Sequence, residues 1–268
     1  MIDITQRRAG FDKLGERYEP ASSVVIKQTQ VADKDCYWFI PDNAKENRIL
    51  IYIHGGAFAV GSIRSHQNMV SHFSNVFHLK TLFVEYRLAP ENPYPQGIED
   101  VISVYQEILR EYPDHRIDIA GESAGGGIIV SAISSMVDRS IPPPASAVLI
   151  SPWISLACAY PSQLKNNGKD IITTEYLKES AKDYIGEGMI HQVSPEFASL
   201  HGFPATLILA GTHEILLDDS LVLHERLLKA NNTVDSILYR EQVHNWPLAD
   251  IHSQASQKLL QDIKTFLN

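Results

Sequence analysis

Ser123 stands at the centre of Gly121-Glu122-Ser123-Ala124-Gly125, a Gly-x-Ser-x-Gly pentapeptide. An apolar run, Ile117-Asp118-Ile119-Ala120, leads into it, and a small-residue helix from Ile128 to Met136 is predicted to follow. A strand that turns at once into a helix puts the middle residue at the apex of a strained turn. Small residues at Gly121 and Gly125 let the two elements pass without a Cβ clash. The hydroxyl is then held out of the sheet above a helix N-terminus, where backbone N–H groups can stabilise a negative oxygen. The chemistry this serves is nucleophilic attack by serine. A chance pentapeptide in a Gly-rich loop is the plain alternative, and the strand-before, helix-after context argues against it. A phosphate-cradling loop would need Gly-Lys-Ser/Thr, and this stretch has no lysine.

At neutral pH a serine needs a base, a group that orients the base, and donors for the oxyanion. The chain has 11 histidines. His244, in Gln242-Val243-His244-Asn245-Trp246, follows the last predicted strand, Ser236–Tyr239. That is the place of the base in a Ser…acid…His order. His66, His72, His78, His115, His191, His201, His213, His224 and His252 read as surface residues, with His252 the rival base. The segment from Gly211 to Asp219 offers three carboxylates, Glu214, Asp218 and Asp219. Glu214 lies closest to a strand end and is favoured. Asp218 and Asp219 read as caps of the next helix, and Asp218 stays the alternative acid. Oxyanion donors are expected from Gly55, Gly56 and Ala57, in His54-Gly55-Gly56-Ala57, and from Ala124. His54 reads as a residue that holds that turn. Phe58, Trp153 and Trp246 are core aromatics or pocket walls. Asp100 and Glu91 read as structural carboxylates that bind backbone or Arg87.

The elements that must position these groups alternate. Strands are predicted at 24–29, 36–40, 48–53, 81–86, 116–120, 145–150, 206–210 and 236–239, with helices at 95–112, 218–230 and 253–267. Apolar strands alternating with helices imply βαβ units and a mostly parallel sheet covered on both faces. The first two strands form an antiparallel edge. Active sites of such sheets gather at the carboxyl ends of the strands, where all four motifs stand. Residues 1–22 form an N-terminal arm, helical over 1–20, with Phe11, Leu14 and Tyr18 on one stripe. The stripe either covers a site mouth or packs on the surface. Residues from about 156 to 199 are polar, hold a predicted helix at 174–184, and are too long for a plain loop. They read as an inserted lid on one domain spanning 1–268.

A length of 268 residues suits one large α/β domain, and a net charge of −9 argues against nucleic acid and anionic membranes as partners. Cys36 and Cys158 fit no metal spacing or disulfide framework and read as buried thiols. No signal-peptide pattern and no run of about 18 apolar residues is present, so a cytoplasmic location is expected.

The motifs together resemble the hormone-sensitive lipase family of α/β-hydrolases, in its bacterial carboxylesterase branch. The resemblance rests on His54-Gly55-Gly56-Ala57, Tyr86-Arg87-Leu88-Ala89-Pro90-Glu91, Gly121 to Gly126, Ser151-Pro152-Trp153, the Gly211–Asp219 segment and His244, in family order. It implies an eight-stranded fold, hydrolysis of a small-molecule ester without cofactor or metal, and Ser123, Glu214 and His244 as triad. It also implies oxyanion donors among Gly55, Gly56, Ala57 and Ala124. The chain departs from the family pattern at Ala57 for glycine, at Glu122 and Glu214 for aspartate, and at Asn245-Trp246 for Gly-Phe. The segment before His54 is shorter than in typical members, so a reduced cap is expected. Amide or formamide hydrolysis and deacetylation remain open on the same triad, since kynurenine formamidases share the size and the His-Gly-Gly turn. A binding protein that has lost catalysis, as in gibberellin receptors, ranks last because all three triad residues are present. A homodimer is left open.

Overall fold

Strands that read as unbroken Ile, Leu and Val can bury both faces only if helices cover them. The computed structural model describes residues 3–268 and builds that arrangement. In chain order the strands are β1 (Val24–Val31), β2 (Lys34–Pro41), β3 (Arg48–Ile53), β4 (Lys80–Val84), β5 (Arg116–Glu122), β6 (Ser146–Ile150), β7 (Ala205–Gly211) and β8 (Val234–Tyr239). The helices are α1 (Ile4–Asp12), α2 (Ile63–Phe77), α3 (Gln96–Glu111), α4 (Ala124–Asp138), α5 (Pro161–Lys165), α6 (Thr174–Ile185), α7 (Ile190–Val193), α8 (Leu217–Lys229), α9 (Trp246–Ala249) and α10 (Gln254–Leu267). One eight-stranded sheet runs in the order β1-β2-β4-β3-β5-β6-β7-β8. Its β1–β2 and β2–β4 pairs are antiparallel and the rest parallel, so the antiparallel edge expected from the sequence is present.

The period of two along each strand divides the core. Ile49, Ile51 and Ile53 of β3 belong to one core cluster with Val101 of α3, Ile129 of α4 and Leu223 of α8. Leu50 and Tyr52 face the other way, onto Phe73 of α2 and Leu259 of α10. The sequence reading assigned no element between Ile53 and Thr81. Parallel β3 and β4 require a crossover, and α2 supplies it. Its start is a capping box: the Ser62 hydroxyl accepts the Arg64 N–H at 3.1 Å, and the Ser65 hydroxyl accepts the Ser62 N–H at 3.0 Å.

Two segments lie over the carboxyl ends of the strands. Between β6 and β7 the chain inserts α5, α6 and α7, with α6 where a helix was predicted. The arm is shorter in helix than expected: α1 ends at Asp12, and a tight turn, Lys13–Glu16, follows. Gly15 is buried there, and a Cβ on it would strike the Arg64 carbonyl of α2. Met1 and Ile2, part of the expected arm, lie outside the described residues. Arg7 pairs with Asp183 of α6 at 3.2 Å. Arg8 pairs with Glu91 at 2.6 Å and donates to the Ala59 and Ala89 carbonyls. Glu91 therefore holds the arm rather than Arg87. The Arg87 partner is Asp100, as expected, which accepts its N–H at 2.9 Å and its guanidinium at 2.7 Å. Cys36 and Cys158 are free and buried, and burial raises each thiol to about 12. Among the described residues no helix is long and apolar enough to cross a membrane.

Candidate active site

Because β5 ends at Glu122 and α4 begins at Ala124, Ser123 alone makes the turn, at φ 54° and ψ −123°. A left-handed φ strains a residue with a Cβ, and the surroundings hold it. The Ser123 N–H donates to the Ile150 carbonyl at 2.9 Å, and its own carbonyl accepts the Trp153 N–H at 3.0 Å. A Cβ on Gly125 would run into the carbonyls of Ile53 and His54, so α4 crosses the end of β3 only with glycine at this position.

His244 comes from the turn after β8. Its Nε2 lies 2.8 Å from Ser123 Oγ, and its Nδ1 lies 3.3 Å from Glu214 Oε2. Glu214, on the turn after β7, is fixed through its other oxygen, which accepts the Ser151 hydroxyl at 2.7 Å and the Gly211 N–H. Burial pushes the Glu214 carboxyl upward, and the hydrogen bonds from His244, Gly211 and Ser151 oppose it. Burial also disfavours the His244 imidazolium. The Glu214 hydrogen bond and the carboxylates of Glu214, Asp170 and Glu122 outweigh burial, so its pKa stands above the ordinary 6.5.

Asp218 and Asp219 do not approach His244 and do not cap their own helix. Their carboxylates reach outward to backbone N–H groups of other segments. Asp218 accepts from Ser162 at 2.7 Å, and Asp219 from Ile154 at 3.0 Å and Ser155 at 2.8 Å. Burial raises Asp219 to about 8.

Of the expected oxyanion donors, Gly55 is removed. Its N–H is bonded to the Glu122 carboxylate. The N–H groups of Gly56, Ala57 and Ala124 donate to no acceptor among the described residues, and Gly56, Ala57 and Ser123 line one pocket. His54 holds the turn as expected. Its ring stacks on Tyr86 at 4.4 Å and Phe83 at 5.3 Å, its Nδ1 lies 2.7 Å from the Gly55 carbonyl, and burial lowers its pKa to about 3.

The aromatics Phe58, Trp153 and Trp246 are buried but do not line the pocket. Phe58 stacks on Tyr184 at 3.8 Å with Trp153 beside it, and Trp246 packs on Tyr239 at 4.9 Å. The walls themselves are Phe11 and Leu14 of the arm, Ile172, Tyr176 and Leu177 of the insert, and Leu248 of α9. The apolar stripe on the arm was the signal for the first two. His66 is a second departure: it is fully buried, with its Nε2 3.0 Å from Glu122. Asp170, in the insert, escaped the sequence reading. Its carboxylate accepts the N–H groups of His244 at 2.8 Å, Ile171 at 2.7 Å and Ile215 at 2.8 Å. Asn166 adds a bond to the Glu214 carbonyl at 2.8 Å. Among the described residues no three His, Cys, Asp or Glu side chains are grouped to hold a metal ion.

Comparison with known proteins agrees with this fold. The α/β-hydrolase fold family matches residues 50–248. An acetyl-hydrolase of Streptomyces hygroscopicus is 33% identical over 252 residues, covering 91% of this chain and 83% of its own. An esterase of Acinetobacter venetianus is 30% identical, covering 85% of this chain and 77% of its own. The crystal structure of an esterase from the bacterial hormone-sensitive lipase family superposes with a TM-score of 0.96 at 28% identity, over 100% of this chain and 91% of that one. The chain belongs to the α/β-hydrolase fold family, in its hormone-sensitive lipase branch, and is a hydrolase.

Proposed function

We propose that the protein is a serine carboxylesterase that cleaves small or short-chain acyl esters through an acyl-enzyme on Ser123. The observation that carries this reading is the His244 ring, with Nε2 2.8 Å from Ser123 Oγ and Nδ1 3.3 Å from Glu214. His244 takes the hydroxyl proton as Oγ bonds to the carbonyl carbon. Glu214 keeps the proton on Nδ1 and stabilises the imidazolium. Gly56, Ala57 and Ala124 N–H groups hold the oxyanion. The carbon–oxygen bond to the alcohol breaks as His244 returns the proton to it. His244 then takes a proton from water, whose oxygen attacks the acyl carbon, and collapse frees the carboxylic acid and Ser123. Water is the only co-reactant. The insert at 156–199 acts as a lid and the arm as the facing wall, and together they favour short acyl chains.

One relative supports acetyl as the acyl group, since it is named an acetyl-hydrolase. A series of p-nitrophenyl acetate, butyrate and octanoate, with a formanilide and an acetylated sugar, tests both readings. Acetate and butyrate are expected to turn over fastest. Ser123→Ala should lose about 10⁶ in kcat, and an organophosphonate should label Ser123 alone. Label elsewhere, or turnover surviving in Ser123→Ala, sinks the serine-esterase reading. A formanilide cleaved faster than the acetate ester moves the assignment to amide hydrolysis.

A further inference from the structure

Two of the departures from the family pattern, Glu122 before the nucleophile and Asn245 after the base, meet in the structure. Glu122 Oε2 accepts the Asn245 side-chain amide at 2.8 Å. Glu122 Oε1 accepts the Gly55 N–H and lies 3.0 Å from His66 Nε2. Glu122, Gly55, His66 and Asn245 are all buried. Each partner belongs to a different piece of the site. Gly55 is on the oxyanion turn after β3, His66 on the first turns of α2, and Asn245 holds a left-handed conformation (φ 48°, ψ 44°) directly after His244. A Cβ on Gly55 would run into the Glu122 carboxylate, so the glycine and the glutamate fit as a pair.

We infer that Glu122 is a positioning residue whose carboxylate ties the oxyanion turn to the histidine loop and so fixes the donors relative to the base. The physical need is visible in the topology. Two of the oxyanion donors, Gly56 and Ala57, follow β3 and the base follows β8, with β5, β6 and β7 between them. Nothing in the sheet itself couples those two loops. A displacement of ~1 Å between them is enough to cost on the order of 10² in rate. Aspartate has one methylene less to span Gly55 and Asn245 together. The carboxylate acts on His244 in a second way, through its charge. The groups that face His244 are Glu214 from the acid turn, Asp170 from the insert and Glu122 from β5, and Arg17 of the arm lines the same pocket. Glu122 in turn faces His66, with the phenols of Tyr52 and Tyr86 buried near it. Each carboxylate raises the proton affinity of the imidazole, so removing one lowers it.

The kinetic part of the test rests on the esterase reading, and a spectroscopic part does not. Glutamine at position 122 keeps the length but turns an amide donor toward Asn245 or His66. In Glu122→Gln, kcat for p-nitrophenyl acetate should fall about 10- to 100-fold, with KM within about twofold of the parent. The acidic limb of the pH profile should move to lower pH. The Gly55 amide proton should lose the downfield shift of a carboxylate-bonded N–H in NMR spectra. Asn245→Gly removes the side chain and keeps the left-handed backbone accessible. It should lower kcat in the parent and cost nothing further in Glu122→Asp, since the tie is already cut there. If Glu122→Gln does not fold, the Asn245→Gly and Glu122→Asp cycle decides alone. Additive costs, or a Glu122→Gln enzyme with parental kcat and an unmoved acidic limb, overturn the inference. A parent enzyme that cleaves no ester overturns the esterase reading instead, and the Gly55 resonance in Glu122→Gln still reports on the tie.

Discussion

A serine hydroxyl attacks well only when its proton has somewhere to go as the new bond forms, and in the proposed mechanism the acceptor for Ser123 is His244 Nε2, 2.8 Å away. Which carboxylate orients the imidazole is a question of reach. Glu214 lies 3.3 Å from Nδ1, whereas Asp218 is committed to the Ser162 N–H. Glu214→Gln should cost on the order of 10⁴ in kcat, because an amide nitrogen facing Nδ1 favours the wrong tautomer. Asp218→Asn should leave kcat nearly unchanged and cost ~1 kcal/mol in denaturant unfolding, from the weakened anchor of α5. Loss of kcat in Asp218→Asn with Glu214→Gln near parental would exchange the two roles. The pH profile adds a sign. Only neutral imidazole accepts the Ser123 proton, so kcat/KM should rise with pH through the His244 pKa, which stands above 6.5. In Glu214→Gln that limb should shift to lower pH, since the largest upward influence is gone. At this scale the sequence was readable where position along the chain carries the information. Ser123 sits between strand and helix, Glu214 just past a strand end, and His244 after the last strand. It was silent where the partner is a backbone N–H, which every residue but proline has. That is why Asp219 reads as a helix cap and instead holds Ile154 and Ser155.

The elements do the placing. Strand ends carry Ser123, Glu214 and His244, and the insert between β6 and β7 fastens the last two. Asp170 bonds the His244, Ile171 and Ile215 N–H groups, and Asn166 bonds the Glu214 carbonyl. The insert is therefore tied to the loops that carry the acid and the base. Removing the tie should both loosen the fold and let the imidazole wander. Asp170→Ala is expected to lower kcat about tenfold and to cost roughly 2–3 kcal/mol in unfolding free energy, for lost hydrogen bonds to a charged group. Asp170→Asn keeps an acceptor oxygen and should be milder on both counts. Parental stability together with parental kcat in Asp170→Ala would show that the insert does not position the base. The insert was recognisable by its length and its polar composition, with a helix predicted at 174–184. The role of Asp170 was not, because its acceptor duty appears only once residues distant in sequence are folded together. The opposite lesson comes from α2. A parallel pair of strands demands a crossover, so a helix between Ile53 and Thr81 was deducible from topology even where the periodicity went uncounted. The buried His66 was misplaced on the surface as a consequence.

At the scale of the whole molecule, near-continuous apolar strands left one plausible architecture, a covered parallel sheet with its chemistry at the carboxyl ends of its strands. What composition could not decide was which segment closes the pocket. Aromatic residues near the motifs, Phe58 and Trp153, were natural candidates, yet the sheet draws them inward to pack on Tyr184 and on each other. The wall falls to the arm, whose stripe was open to two readings. Phe11 and Leu14 line the same pocket as Ser123, together with Ile172 and Tyr176 of the insert. The arm is held there by Arg7 on Asp183, Arg8 on Glu91 and the Tyr18 hydroxyl on the Pro247 carbonyl at 2.8 Å. None of these contacts touches the triad. The arm should therefore act on binding and on chain length, and leave the chemical step alone. Phe11→Ala withdraws an apolar wall that a short acyl chain or alcohol would contact. Losing ~1.5 kcal/mol of that burial corresponds to roughly a tenfold rise in KM for p-nitrophenyl butyrate, with kcat held within about twofold. The space opened should raise kcat/KM for octanoate relative to butyrate. Arg8→Ala, which frees the arm without changing its wall residues, should move KM in the same direction by less. A fall in kcat at constant KM in either variant would place the arm in the chemistry instead and contradict its role as a wall.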